Sequence, residues 1–83
     1  MNQIYHGVLK RKVIKCIKHL GKGICELLID IELSFGVCNS VEFDESLNKI
    51  YIHVFIEDLD IVSDFEDLDE DDKIRVLYML KTI

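Results

Sequence analysis

Hydrophobic positions repeat with two different periods along this chain, and the change of period marks its elements. Over residues 4–20, Leu9, Val13, Cys16, Ile17 and Leu20 fall on one helical stripe, while Lys10, Arg11, Lys15, Lys18 and Lys22 gather opposite it. The pattern predicts a basic amphipathic helix. Gly7 weakens its first turn, and Gly21 and Gly23 supply the stop, because glycine fits the left-handed conformation at helix ends.

Beyond that stop the period drops to two. Over 25–35, Leu27, Ile29, Ile31, Leu33 and Phe35 alternate with Glu26, Asp30, Glu32 and Ser34, which is the signature of a half-buried strand. A helical stripe through Ile24, Leu27, Leu28, Ile31 and Phe35 also fits, but it leaves Ile29 and Leu33 among the acids, so the strand is preferred. A turn at Gly36 leads into a second strand, 37–45, where Val41 and Phe43 alternate with Glu42 and Asp44. Ser46-Leu47-Asn48 breaks the pattern as a hairpin turn. The third strand, 49–57, sets Ile50, Ile52, Val54 and Ile56 on one face and Tyr51, His53 and Phe55 on the other.

Residues 58–69 read as an acidic loop, and 70–82 as a final helix carrying Ile74, Val76, Leu77, Tyr78 and Leu80. That helix is apolar over more than one stripe. Either it lies between the sheet and the first helix, or part of it meets another molecule. The expected fold is a small α+β domain over 1–83, in the order α-β-β-β-α. It has a three-stranded antiparallel meander with both helices packed on one face. The other face then displays Glu26, Asp30, Glu32, Glu42 and Asp44 beside the aromatic strip of the third strand.

Composition sharpens this picture in one respect. The net charge of the 83 residues is −6, but residues 1–23 hold six cations and no acid, whereas the other sixty hold all sixteen acids against four cations, a net of −12. Ten of those acids lie between Glu57 and Asp72. Some suit the positive end of the following helix dipole, and Ser63-x-x-Glu66 and Asp67-x-x-Glu70 have capping-box spacing. The rest form a solvated acidic segment or a surface for a charged partner.

Candidate chemistry is sparse. Cys16-x-x-His19, Cys25 and Cys38 lack the tight pairing of zinc sites, and an odd number of cysteines without C-x-x-C indicates a reducing compartment with the thiols packed as small hydrophobes. The acids from Asp67 to Asp72 mimic the start of an EF-hand loop, but Asp72 stands where the glycine is needed and Tyr78 where the closing glutamate is needed. The chain has no nucleophile-elbow serine, P-loop or dinucleotide fingerprint, so the expectation is a non-enzyme without metal or cofactor. The opening MNQIYHGVLKRK lacks a secretory pattern, and no stretch approaches the roughly 20 apolar residues of a membrane span. A cytoplasmic location follows as an expectation. The element order is shared with double-stranded-RNA-binding domains, which carry lysines at the start of the last helix. Here Asp69, Glu70, Asp71 and Asp72 stand there and would repel phosphate, which argues against direct nucleic-acid binding.

The expected function is therefore an acidic protein-binding module that docks on a basic surface, in its sharpest form a nucleic-acid mimic occupying a nucleic-acid-binding enzyme or complex. In size and acidity the chain resembles the small inhibitors made by phages and mobile elements, such as anti-CRISPR and anti-restriction proteins. The expected contact carriers are Glu26, Asp30, Glu32, Glu42, Asp44, Glu57, Asp58, Asp60, Asp64 and Glu66. Two alternatives use the basic helix instead. It could pair with the acidic region of another copy in a homodimer or larger homo-oligomer, or it could touch nucleic acid or a membrane surface.

Overall fold

The helices and strands form in the order that the periodicities predict, with one strand more. A computed structural model describes residues 3–20 and 26–83, with side chains from residue 7 onward. The elements are α1 (Gln3–Leu20), β1 (Glu26–Leu33), β2 (Gly36–Asp44), β3 (Lys49–Ile56), β4 (Leu59–Asp64), a 3₁₀ turn (Phe65–Asp67) and α2 (Glu70–Thr82). The expectations placed on Gly21, Lys22, Gly23, Ile24 and Cys25 lie outside the described residues.

The strands form one antiparallel sheet in the order β1-β2-β3-β4. Its inner face is built largely from the positions that the alternation singled out, with Cys38 added and with Phe35 and Ile56 left exposed. Ile31, Leu33, Cys38, Val41, Phe43, Ile50, Ile52 and Val54 are buried there, and Leu9, Val13 and Ile17 of α1 with Val76, Leu77 and Leu80 of α2 complete the same core. Both helices therefore cover one face. Ile74, Tyr78 and Ile83 remain exposed, so the broad apolar surface of α2 is only half used within the chain.

The acidic loop expected over 58–69 is instead β4, the 3₁₀ turn and the cap of α2. Leu59, Ile61 and Ser63 alternate with Asp60, Val62 and Asp64, and they pair with β3 from Ile56 opposite Leu59 to Tyr51 opposite Asp64. The connection is a two-residue turn, Glu57-Asp58, with φ of 51° and 68°. Positive φ at both positions is the type I′ geometry whose twist suits a tight hairpin. Phe65, fully buried at the far end of β4, anchors the strand to the core. The caps also differ from the predicted boxes. Asp64 accepts the N–H of Glu66, and Asp69 accepts the N–H of Asp72 at 2.8 Å as the N-cap of α2.

Two further details fix the β1–β2 end. The connection there is the pair Ser34-Phe35, with Leu33 opposite Gly36, so the turn precedes the glycine. Gly36 has φ of 150°, and a Cβ at that position would lie 2.8 Å from Val54 Cγ1. The buried carboxylate of Asp72 accepts the Ser34 hydroxyl at 2.6 Å and its backbone N–H at 3.1 Å, which ties the first turn of α2 to the sheet.

Candidate functional site

Strand register sorts the outer face of the sheet into rows. Glu26 lies opposite Glu42, Glu42 opposite Tyr51, and Tyr51 opposite Asp64, so one row with three carboxylates crosses all four strands. At about 4.8 Å between strands the row is about 14 Å wide. The next row runs Leu28, Ser40, His53 and Val62, and beyond it Phe55 faces Asp60. Leu28 is exposed, because it alternates outward between Leu27 and Ile29, which pack against the core, and the pairing shifts register between Leu28 and Ile31.

His53 is the most highly connected side chain on this face. Its Nε2 lies 2.9 Å from Glu42 Oε1, and its Nδ1 lies 3.1 Å and 3.2 Å from the two oxygens of Asp60. Both contacts are hydrogen bonds only when both ring nitrogens carry a proton and donate, so the arrangement favours the imidazolium. Burial by itself would depress its pKa, but the hydrogen bonds and charges of Glu42 and Asp60 outweigh that and hold it above the ordinary value of 6.5. With both nitrogens committed, the ring acts as a cationic clasp joining β2, β3 and β4. It is in no position to serve as a general base.

The ten predicted contact residues thus divide. Glu26, Glu42, Asp60 and Asp64 share the outer face, although Glu42 and Asp60 also serve His53, and Asp64 lies 3.6 Å from Lys49. Asp30 and Glu32 sit at the β1 edge, lining a groove shared with Ile74, Arg75 and Tyr78 of α2. Asp44 is folded into its own turn, where the Ser46 hydroxyl and the Leu47 N–H donate to it and hold its carboxyl below the usual range. Glu57 and Asp58 form the β3–β4 turn, and Glu66 pairs with Lys10 of α1 at 3.6 Å.

The positive side chains of α1 lie on the other side of the molecule. Leu9, Val13 and Ile17 turn inward, leaving Arg11, Lys12, Lys15 and Lys18 exposed, and among the described residues Lys10 alone reaches an acid. The outer face is therefore not neutralised by the leading helix.

Of the residues singled out for metal chemistry, Cys38 is buried, donates to the Ser40 carbonyl at 3.2 Å and has its thiol pushed up to about 11 by burial. Cys16 is half-buried in α1, and Cys25 and the side chain of His6 lie outside the described residues. Among the described residues no three histidines, cysteines or acids converge on a metal position, and no helix is long and apolar enough to cross a membrane.

Sequence reasoning assigned His53 no role. The signal that could have exposed it lies in the register, since a strand at 59–64 closed by a two-residue turn places Asp60 diagonally beside it. Lys73 was equally hidden. It is fully buried, its Nζ makes no hydrogen bond, and it stands 5.7 Å from the centroid of the Phe65 ring.

No protein-family model, no curated protein and no solved structure matches this chain.

Proposed function

We propose that the outer face of the sheet is a non-catalytic docking surface for a cationic site on another protein, of the kind that binds nucleic acid. The observation that carries this reading is the row Glu26–Glu42–Tyr51–Asp64, a rigid line of carboxylates on the side of the sheet that α1 does not cover. Duplex DNA presents one charge per about 1.7 Å of axis, and a partner built to bind that density gains from a preorganised acidic sheet. Complementary fields also raise association rates and reject wrong partners. An inhibitor that mimics nucleic acid is the sharpest form of this reading.

The test compares the wild-type chain with a Glu26→Gln/Glu42→Gln/Asp64→Asn variant as baits, at low and at high salt. The wild type is expected to retain a nucleic-acid-binding protein that duplex DNA displaces, with retention falling steeply as salt rises, and the variant is expected to lose it. Equal, salt-insensitive retention by both baits overturns the proposal. A second reading draws on the exposed cations of α1, which face away from the acidic sheet and would let copies stack face to back. Light scattering that shows a salt-sensitive increase in mass favours it.

A further inference from the structure

We infer that the free edge of β4 takes up an extended segment of the partner as a fifth strand, with alternating cationic and apolar side chains. The inference rests on the docking role proposed for the outer face and adds a backbone-directed mode of attachment.

The hairpin geometry fixes which groups the edge offers. In a two-residue I′ hairpin the flanking pair, Ile56 and Leu59, is hydrogen-bonded, and the pattern then alternates. Leu59, Ile61 and Ser63 therefore spend their backbone groups on β3, while the N–H and C=O groups of Asp60, Val62 and Asp64 point to the open edge. β4 ends the strand order, so no strand among the described residues meets them. The opposite edge is different, since β1 carries a bulge and borders α2. The β3–β4 pairing, by contrast, runs without a register shift. β4 contains neither proline nor lysine, and a regular unpaired strand is a ready template for another.

The side chains say what kind of strand fits. Leu59 and Ile61 are exposed on the inner side of the edge beside Ile56, and Phe55 and Val62 are exposed on the outer side, so both sides of the edge offer apolar surface. On the outer side Asp60 and Asp64 flank Val62 with 41% and 24% of their side chains exposed. An incoming antiparallel strand would set its cations opposite Asp60 and Asp64 and its apolar residues over Ile61. A second copy fits less well. The symmetric register that uses all three edge residues pairs Val62 with itself and places Asp60 directly opposite Asp64 of the other copy, a like-charge contact that destabilises.

The probe is a short capped peptide alternating lysine and valine, read by amide hydrogen exchange. In the free protein the amides of Ile61 and Ser63 are expected to be protected and those of Asp60, Val62 and Asp64 to exchange freely. Peptide should slow the latter three by about ten-fold or more. Val62→Pro removes an edge-facing N–H without touching the β3 pairing, so the variant is expected to stay folded, keep its outer-face shifts with peptide and lose the protection. Peptide shifts confined to Glu26, Glu42 and Tyr51, unchanged by Val62→Pro, overturn the edge inference and leave the acidic face standing. Edge amides already protected in free protein at high concentration also overturn it, because the occupant is then a second copy. Protection that survives intact in the Glu26→Gln/Glu42→Gln/Asp64→Asn variant removes the charged-face reading instead.

Discussion

Lys73 and His53 show two opposite ways of placing a cation in a small domain. Lys73 is 0% exposed and its ammonium has no hydrogen-bond partner, so its compensation is the Phe65 ring. A cation–π contact contributes at most about 2 kcal/mol, whereas desolvating an ammonium costs several. The penalty exceeds the gain, and Lys73→Met, which keeps the length and drops the charge, is expected to stabilise the chain by about 1 kcal/mol in urea denaturation. His53 is compensated on both sides. Its pKa is raised by Glu42 and Asp60 despite partial burial, so its contribution to stability is complete below the unfolded value of 6.5 and is lost as pH rises through the folded value. Wild type should therefore lose stability as pH rises above 6.5 and through the raised folded value, and His53→Gln should lose less over the same window. Parallel curves for the two proteins would show that the clasp contributes nothing.

The β3–β4 hairpin is where an element departs furthest from its sequence. A type I′ turn favours Asn-Gly, yet Glu57 and Asp58 hold φ of 51° and 68°. Left-handed backbone costs a non-glycine residue about 1–2 kcal/mol, so Glu57→Asn with Asp58→Gly is expected to stabilise by about 1 kcal/mol and raise the melting temperature by about 5 °C. A lower melting temperature would mean that the acids serve the turn through contacts of their own. The same substitution pattern explains why β4 was illegible. With no Gly, Asn or Pro at the reversal, and with acids at Asp60 and Asp64, Leu59–Asp64 read as part of a charged loop. The other elements were legible because period and burial agreed. Leu9, Val13 and Ile17 turned inward, and Ile50, Ile52 and Val54 became the centre of the sheet. The acidic face was legible for Glu26 and Glu42 by alternation alone. Asp30, Glu32 and Asp44 take on further contacts, because an edge groove and a side-chain-bridged turn depend on neighbours that a one-dimensional pattern does not contain.

At the scale of the molecule, segregated charge sets a conflict between folding and binding. A surface that is to meet a cationic partner must stay uncompensated, and the fold then bears the repulsion. Glu26 sits directly opposite Glu42, a pairing that destabilises a sheet. Among the described residues the attractive contacts between elements are few and partly solvated. They include Lys10 with Glu66 and Lys49 with Asp64, each at 3.6 Å, besides the His53 clasp. Exposed pairs of this kind contribute roughly 0–1 kcal/mol each, and they stand against the self-repulsion of a net charge of −6 with ten acids between Glu57 and Asp72. Screening should therefore help the fold. Raising ionic strength from about 0.01 M to about 0.15 M shortens the Debye length from about 30 Å to about 8 Å, and the melting temperature is expected to rise by about 2–5 °C. A fold whose lysine helix neutralised its acids would respond in the opposite sense, since screening would then weaken attraction. The sign of that one shift separates a surface held open for a partner from one whose charges are already satisfied within the chain.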